Sequence, residues 1–471
     1  MKNEIVLDRI LEGHHEEMCG ELQKLLKMRT VTADPTPGAP FGEAIGSALS
    51  YIVELAKKKD FECIDFEGYA SEISSGEGQE SVGVVSHIDV VPEGKGWTFD
   101  PFGGEMADGR IYGRGAVDDK GPLIAAFYAC LALKESGIPL RRKVKHIIGT
   151  DEETARFDCI RYYKEHAKMP ACGIVPDSWF PAVYAEKGFV NYRFIKELAN
   201  RDTGDINLTS IMGGVTYNIV ASEAFAEFES TAIGRKAIED AFGAFIEKDG
   251  NAEGEIIINN GSLRVAFKGR AAHASVPEEG VNAISTLLRF LEKLTFCPAD
   301  LCSSIHELAH MIGYDSTGEG LGVSYSDHTG ILTNNVGMIS MDQHLMEVKM
   351  NLRSPVTMNV DDLYSWLATA ADHATMRFDL VGYNPHYYTE PDNLNLQMLV
   401  NIYRDVTGET ESKPKAHGGG SYARILDGFI PFGPSFQNEP LFFHKQDEYI
   451  TKERLLLLSR IYARALYELA K

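Results

Sequence analysis

Two adjacent glutamates at the end of a strand-like segment are the first residues in this sequence whose types and spacing could do chemistry. Glu152 and Glu153 follow the apolar, β-rich run at residues 145–150, within the tripeptide Asp151-Glu152-Glu153. Because neighbouring residues of an extended segment point in opposite directions, one carboxylate can hold a metal ion while the other moves protons. Taken alone, such a tripeptide is more simply interpreted as a solvated acidic turn.

Further acidic and histidine residues also follow hydrophobic or glycine-rich stretches. They are His87-Ile88-Asp89, Asp118-Asp119-Lys120, Asp177 and the segment His444-Lys445-Gln446-Asp447-Glu448. A hydrolase with two metal ions needs one carboxylate shared by both ions, a histidine and a carboxylate on each, and a free base beside the water. Asp89 could accept the second N–H of the His87 imidazole and so orient the ring. Together these groups point to metal-dependent hydrolysis, which none of them would indicate alone.

The segments that must position these residues alternate between strands and helices. After a predicted N-terminal helix at 5–28, strands are expected near 81–86, 143–150 and 172–176, and helices near 121–136 and 157–168. Such alternation is typical of an α/β domain with a central, mostly parallel sheet flanked by helices. Ligand sites in these sheets form beyond the carboxyl ends of the strands, so the residues that follow the strands are expected to converge there.

The pattern changes in the middle of the chain and then returns. Between about 187 and 384, segments of alternating apolar and polar residues predict half-exposed antiparallel strands with helices between them. A chain of 471 residues is also too long for a single hydrophobic core. We therefore predict a catalytic domain formed by residues 1–186 and 385–471 and interrupted by an inserted α+β lid domain at 187–384.

Composition narrows the partners and the compartment. The formal net charge of −22 argues against nucleic acid or an anionic membrane as a partner. The seven cysteines are odd in number and form no C-x-x-C pair, which favours reduced thiols in a cytoplasmic protein. We also predict neither a secretion signal nor a membrane span, because the N-terminus is charged and no apolar run is long enough.

The motifs as a set resemble a family of di-metal exopeptidases that includes aminoacylases, carnosinases, glutamate carboxypeptidases and the PepV-type dipeptidases. The segments that carry the resemblance are SHIDVVPEG (86–94), GRGAVDDKG (113–121), GTDEE (149–153), PDS (176–178) and HKQDE (444–448). They span nearly the whole chain and occur in the order found in that family.

The resemblance implies two divalent metal ions. Asp118 would lie between them, His87 and Asp177 would complete one site, and Glu153 and His444 would complete the other. Carboxylates with two imidazoles suit Zn²⁺, which we expect, and also Mn²⁺ or Co²⁺.

The same resemblance implies catalytic roles. Glu152 would be the general base, taking a proton from the bridging water and passing it to the leaving amine. Asp89 would assist through His87, and the peptide bond from Asp118 to Asp119 would be strained. In the lid, His273 lies in a segment that resembles the family's lid-histidine motif and would stabilise the oxyanion.

Substrate-binding residues are also implied. Asn218 and Arg353 match lid positions that grip the C-terminal carboxylate of the substrate in PepV-type enzymes, and an arginine fork suits a carboxylate. Gly420 and Ser421 match a glycine turn that lines the pocket. The long insertion resembles the PepV type, in which the lid supplies its histidine within one chain, so a monomer is expected.

The function implied is hydrolysis of small peptides, namely dipeptides with a free N-terminus. An N-acyl amino acid amidohydrolase of the same family, or a member acting on a carbamoyl substrate, is the first alternative, and a non-catalytic binding protein that retains the fold is the second.

A third alternative comes from His306-Glu307-Leu308-Ala309-His310, which matches the HExxH pattern of zinc endopeptidases on a predicted helix. No convincing third ligand follows at the usual distance, and the pattern lies inside the predicted lid. We therefore interpret it as a coincidence on an amphipathic helix.

Overall fold

The computed structural model describes residues 2–199, 202–250, 252–259, 262–437, 439 and 443–471. The chain divides into two compact units. The first consists of Met1–Ala185, Tyr387–Lys415 and Gly420–Lys471, and the second of Glu186–His386 and Ala416–Gly419. The second unit thus begins at Glu186 and ends its main segment at His386, where the sequence predicted 187 and 384, and it adds the short return at 416–419.

The first unit is built on a six-stranded sheet. In spatial order its strands are Glu62–Phe66, Ala70–Ser75, Lys143–Gly149, Ser81–His87, Cys172–Val175 and Phe429–Pro431. The last four pair in parallel, whereas the first two add an antiparallel edge. The central strands are buried almost throughout, as expected for a sheet covered on both faces. The prediction of an α/β fold with a mostly parallel sheet is confirmed.

Seven helices accompany this sheet among the described residues. They are Lys2–Gly13, His15–Leu26, Glu43–Lys58, Lys120–Ser136, Asp158–His166, Leu394–Thr407 and Lys452–Ala470, with a 3₁₀ turn at Tyr422–Ile425. The prediction of a single N-terminal helix at 5–28 was wrong. The structure has two helices there, which are separated at His14, next to Gly13. Glycine is a poor helix former, which makes this a natural point for the break.

Helix Lys120–Ser136 is apolar around its whole circumference, and its residues 120–133 are buried. Gly137 ends it with a left-handed conformation (φ 62°), as glycine commonly does after a helix. This helix begins directly after Asp118-Asp119, so its buried position also fixes the position of those two aspartates.

Short strands complete the first unit and its margins. Their bounds are Glu105–Ala107, Arg110–Tyr112, Ser178–Trp179, Val183–Glu186, Tyr387–Tyr388, Lys415–His417, Pro434–Ser435 and Tyr449–Thr451. All seven cysteines are free thiols at buried or half-buried positions. Across the described part of the chain, no helix combines the length and the apolar character needed to cross a membrane.

The second unit contains an eight-stranded sheet in which every neighbouring pair is antiparallel. In spatial order its strands are Glu253–Asn259, Ser262–Lys268, Glu223–Ser230, Ile206–Gly213, Thr333–Met341, Leu345–Ser354, Gly188–Glu197 and Arg377–Asn384. Two further short strands are Ser326–Asp327 and Gly330–Ile331. Its helices are Ala232–Lys248, Ala283–Leu291, Ala299–Ile312 and Val360–His373, with a 3₁₀ turn at Pro277–Glu279.

The alternating pattern read from the sequence explains how this second sheet packs. In strand Gly188–Glu197, the side chains of Val190, Tyr192 and Phe194 are fully buried, while the residues between them are half-buried. Period-two alternation places one face of a strand on a core and leaves the other available for polar groups.

Candidate active site

Acidic and histidine side chains gather beyond the carboxyl ends of the parallel strands in the first unit. His87 is the last residue of its strand, Glu152 and Glu153 follow strand Lys143–Gly149, and Asp177 follows strand Cys172–Val175. The pairing of Ser81–His87 with Lys143–Gly149 is parallel and in register from end to end, so both strands finish at the same level. The sheet therefore delivers these side chains to one edge.

Two loops contribute the remaining side chains of this cluster. Asp118 lies just before helix Lys120–Ser136, and His444 lies before strand Tyr449–Thr451. Within the described residues there are two groups of three side chains, and in each group the possible ligand atoms lie within 4.8 Å of one another. The groups are His87 with Glu152 and Asp177, and Asp118 with Glu153 and His444.

The carboxylate of Asp118 faces both groups. Its Oδ1 atom lies 3.0 Å from Nε2 of His87, and its Oδ2 atom lies 3.1 Å from Nε2 of His444. Nε2 of His87 also lies 3.7 Å from Oδ2 of Asp177, and Nε2 of His444 lies 3.1 Å from Oε2 of Glu153. This donor set, two imidazoles and several carboxylates with one carboxylate facing both imidazoles, fits two neighbouring divalent cations that share a ligand.

The buried charges perturb one another strongly. Burial alone would raise the pKa of Asp118, but the imidazoles of His444 and His87 hold it below its usual value. Burial alone would likewise lower the pKa of His87 and His444, but the carboxylates that face them raise it well above the usual range. Such mutual dependence makes the cluster an electrostatic unit and a strong candidate for a functional site.

The pKa of Glu152 is shifted in the opposite direction to that of Asp118. Its side chain is buried, and the structure shows it close to Asp177 and His87. Burial, followed by the negative charge of Asp177, raises the pKa of Glu152 well above its usual value. A carboxyl group with a raised pKa holds a proton more readily than an ordinary carboxyl group, which suits a general base.

Asp89 has a larger role than the sequence predicted. Its carboxylate accepts the backbone N–H of Glu152 at 3.0 Å and the backbone N–H of Glu153 at 3.0 Å. Nδ1 of His87 lies 3.0 Å from the backbone oxygen of Asp89 and 3.5 Å from its Oδ1. Asp89 thus fixes both the first histidine and the turn that carries the two glutamates.

The neighbour of Asp118 is fixed as well. The peptide bond between Asp118 and Asp119 is cis. The buried carboxylate of Asp119 accepts the backbone N–H of His87 at 3.0 Å. Two consecutive aspartates therefore point to different tasks, one toward the imidazoles and one toward the strand end.

Gly420 and Ser421 lie at the start of the 3₁₀ turn in the first unit. Oγ of Ser421 accepts the N–H of Ala423 and caps this turn, and a Cβ atom at Gly420 would lie 2.3 Å from Nε of Arg424. The next residue, Tyr422, was missed from the sequence. Its buried ring stands edge-on to His87, with 6.3 Å between the ring centroids. Its position after the glycine turn was the available signal.

The remaining predicted residues belong to the second unit. Ile219 and His273 form an antiparallel bridge, and the N–H of Ala274 donates to the backbone oxygen of Asn218 at 2.9 Å. The segments that carry Asn218 and His273 therefore lie side by side. Nδ1 of His273 lies 2.7 Å from Oγ of Ser275.

Arg353 lies on strand Leu345–Ser354 and is buried. Its Nε donates to Oδ1 of Asn351 at 2.8 Å, and its Nη1 donates to the backbone oxygen of Gly418 at 3.0 Å. The guanidinium carbon lies 4.6 Å from the centroid of the Phe189 ring. These contacts hold the planar group in one orientation, which is what bidentate recognition of a carboxylate requires.

The HExxH pattern occurs on helix Ala299–Ile312. Nε2 of His306 lies 2.9 Å from the backbone oxygen of Leu294, and His310, which is exposed, lies 3.3 Å from Glu292. Neither histidine belongs to the two ligand groups found among the described residues. His306 is therefore engaged with the main chain, as a structural residue would be.

Comparison with known proteins adds to this geometry. The sequence matches the family model of peptidase family M20/M25/M40 over residues 83–468. A Bacillus subtilis (strain 168) protein named "Putative dipeptidase YtjP" is 34% identical over 461 residues, covering 97% of this chain and 98% of that protein. A Staphylococcus epidermidis protein (strain ATCC 12228 / FDA PCI 1200) named "Putative dipeptidase" is 33% identical over 469 residues, covering 98% of each.

Solved structures show the same fold. Human carnosine dipeptidase 1 has a TM-score of 0.60 at 14% identity, with 99% of this chain and 98% of that chain covered. The dipeptidase Dug1p from Saccharomyces cerevisiae has a TM-score of 0.59 at 14% identity, with the same coverage of 99% and 98%.

Proposed function

Because the chain belongs to peptidase family M20/M25/M40 and is a peptidase, we propose that it hydrolyses unblocked dipeptides at a centre for two divalent metal ions. One observation carries the proposal: the two oxygens of Asp118 face the imidazoles of His87 and His444, one each. Relatives that match nearly the whole chain carry the name "Putative dipeptidase", which supports a dipeptide as the substrate.

In this proposal Asp118 would hold both ions, His87 and Asp177 would complete one site, and Glu153 and His444 would complete the other. When bound, the ions would lower the pKa of a water molecule and polarise the peptide carbonyl. Zn²⁺ is the expected metal, and Mn²⁺ or Co²⁺ would suit the same donors.

Glu152 performs the proton transfers. It takes a proton from the attacking water and returns it to the amine that leaves, so that one carboxyl group serves as base and then as acid. Asp89 keeps Glu152 in place through the backbone N–H bond described above.

The second unit would act as the lid domain. His273 would donate to the developing oxyanion, and Arg353 and Asn218 would bind the C-terminal carboxylate of the substrate. Gly420 and Ser421 would line the substrate pocket. A single chain that carries all these residues would work as a monomer, and its scattered cysteines suit the cytoplasm.

The test is a comparison of one dipeptide with its N-acetylated twin, using metal-reconstituted protein. We expect the free dipeptide to have the higher kcat/KM, by roughly 10- to 100-fold, because a hydrogen bond to a charged amine contributes about 1.5–3 kcal/mol. Preference for the acetylated twin would assign the chain to the N-acyl amino acid amidohydrolases. Tight binding of either compound with no hydrolysis would favour the binding-protein alternative.

His306→Ala should leave metal content and dipeptide hydrolysis unchanged. The substitution removes a hydrogen bond to the main chain at Leu294, at a cost of about 1 kcal/mol in the free energy of unfolding. Metal analysis and steady-state kinetics of the purified variant check this. If His306→Ala removed hydrolysis and His87→Ala did not, the centre would lie at the HExxH helix instead.

A further inference from the structure

Glu448 is a buried glutamate to which the sequence assigned no role. Among the described residues, the donors to its carboxylate lie in one loop: Oε2 accepts from Nη1 of Arg114 at 2.6 Å and from the N–H of Gly115 at 3.2 Å. Oε1 accepts the N–H of Val117 at 2.8 Å and the N–H of Asp118 at 3.2 Å. The peptide that carries Asp118 is therefore attached directly to this side chain.

The backbone of Glu448 is tied to the same loop. Its carbonyl oxygen accepts the N–H of Gly113 at 2.9 Å. A buried carboxylate costs several kcal/mol unless donors surround it, and here the donors are a guanidinium and three backbone N–H groups of the loop. Those N–H groups belong to an irregular segment, so the glutamate also satisfies backbone donors that no strand or helix satisfies. The loop and Glu448 thus depend on each other.

The segment 444–448, which ends at Glu448, begins with a proposed metal ligand. His444 lies four residues before Glu448, and both His444 and Asp447 adopt left-handed conformations, with φ of 61° and 53°. Oδ1 of Asp447 accepts the N–H of Thr98 at 2.7 Å and the N–H of Phe99 at 3.3 Å. The turn at 443–448 is therefore anchored by two consecutive acidic side chains.

We propose that Glu448 is a positioning residue for the metal centre, because it fixes the loop of Asp118 relative to the turn of His444. This inference rests on the proposed two-metal function. Nε2 of His444 lies 3.1 Å from Oδ2 of Asp118. That spacing joins two segments more than 300 residues apart in sequence, and Glu448 is bonded to one segment and part of the other.

Glu448→Gln tests the inference. Glutamine keeps the size of the side chain but turns one acceptor oxygen into an NH₂ donor, which would face other N–H groups of the loop. Substitution of residues that support metal ligands typically weakens metal affinity by about 10- to 100-fold. We expect a loss of that size for at least one ion, measured by competition with a chromophoric chelator on metal-free protein.

A purely structural role for Glu448 predicts a different result. Glu72→Gln is the matched control, because Glu72 is also buried in the first unit and is bonded to Lys145 at 2.8 Å and to Tyr163 at 2.5 Å. Both variants should lower the unfolding temperature in excess EDTA, whereas only Glu448→Gln should weaken metal binding. Unchanged metal affinity in Glu448→Gln, with only a lower unfolding temperature, would overturn the inference.

Two additions keep the outcome clear. Arg114→Lys retains the charge beside Glu448 but loses the guanidinium geometry, so it should also weaken metal binding. It replaces Glu448→Gln as the test if that variant does not fold. Wild-type protein is titrated in parallel. If the wild type does not bind two ions, the proposed two-metal function fails. If the wild type binds two ions, and Glu448→Gln and Arg114→Lys bind them with the same affinity, then only the inference about Glu448 fails and the two-metal function stands.

Discussion

Glu152→Gln is expected to reduce kcat for dipeptide hydrolysis by about 10²- to 10⁴-fold, the range that general acid–base catalysis contributes. Glutamine has nearly the same size but cannot accept the proton of the attacking water. The backbone N–H of residue 152 still donates to Asp89, so the turn should keep its shape. The measurement is steady-state kinetics on metal-reconstituted protein, with the KM of the dipeptide compared with that of the wild type.

Metal content decides whether Glu152 is a base or a ligand. The geometry offers both roles, because its carboxylate belongs to the group formed with His87 and Asp177. If it is the base, Glu152→Gln binds as many ions as the wild type, and only turnover is lost. Loss of one ion together with the activity would make Glu152 a ligand and leave the base unassigned.

Asp151→Asn is the matched control, since Asp151 is the buried neighbour of Glu152 in the same acidic tripeptide. Its Oδ2 atom accepts the N–H of Asp158 at 3.2 Å, and an asparagine oxygen can accept the same bond. This variant should retain kcat. An equal loss of activity in both variants would show that the tripeptide matters for its shape and not for proton transfer at position 152.

Much of the fold could be predicted because the local pattern determined it. Buried parallel strands are short apolar runs, and the predicted strands at 81–86, 143–150 and 172–176 are found at Ser81–His87, Lys143–Gly149 and Cys172–Val175. The residue types after each strand end could then be read directly from the sequence. The gathering of these residues at one edge follows from parallel pairing, which is why the candidate site could be outlined before any coordinates.

The contacts between loops could not be predicted in the same way. Glu448 lies inside a motif that was recognised, and its partner Arg114 lies inside another, but nothing in either motif says that they meet. Hydrogen bonds to backbone N–H groups depend on loop conformation, and that conformation depends in turn on the partner. The one available clue to the Arg114–Glu448 contact was that a buried glutamate needs a cationic partner, and Arg114 is a cation in another recognised motif.

Strand register in the second unit shows the same limit. Asn351 pairs with Asn191 on one neighbouring strand and with Asn335 on the other, which places three asparagines side by side across the sheet. Oδ1 of Asn351 accepts from Arg353, and Nδ2 of Asn335 donates to the backbone oxygens of Tyr217 and Ile219. Register between strands far apart in sequence has no local signature, so this polar row was invisible until the strands were paired.

Asp118→Asn is expected to remove both metal ions, whereas Asp177→Asn should remove only one. Each oxygen of Asp118 faces a different imidazole, while Asp177 faces His87 alone among the two histidines of the centre. Asparagine offers one oxygen and an NH₂ group that cannot bind a cation. Removing one negative charge about 4 Å from even a unit positive charge costs about 4 kcal/mol at an effective dielectric constant of 20, so each divalent ion should lose at least roughly 10³-fold in affinity.

The measurement is the number of ions per chain after dialysis against a fixed concentration of free Zn²⁺ at which the wild type is saturated. Asp177→Asn should retain the ion that we propose to bind at Glu153 and His444, so it also serves as the control for the loss of one negative charge. If Asp118→Asn kept one ion at wild-type affinity, the two ligand groups would be independent sites and Asp118 would belong to only one. That result would exclude a shared carboxylate, and any mechanism with two ions would then have to work without a common ligand between them.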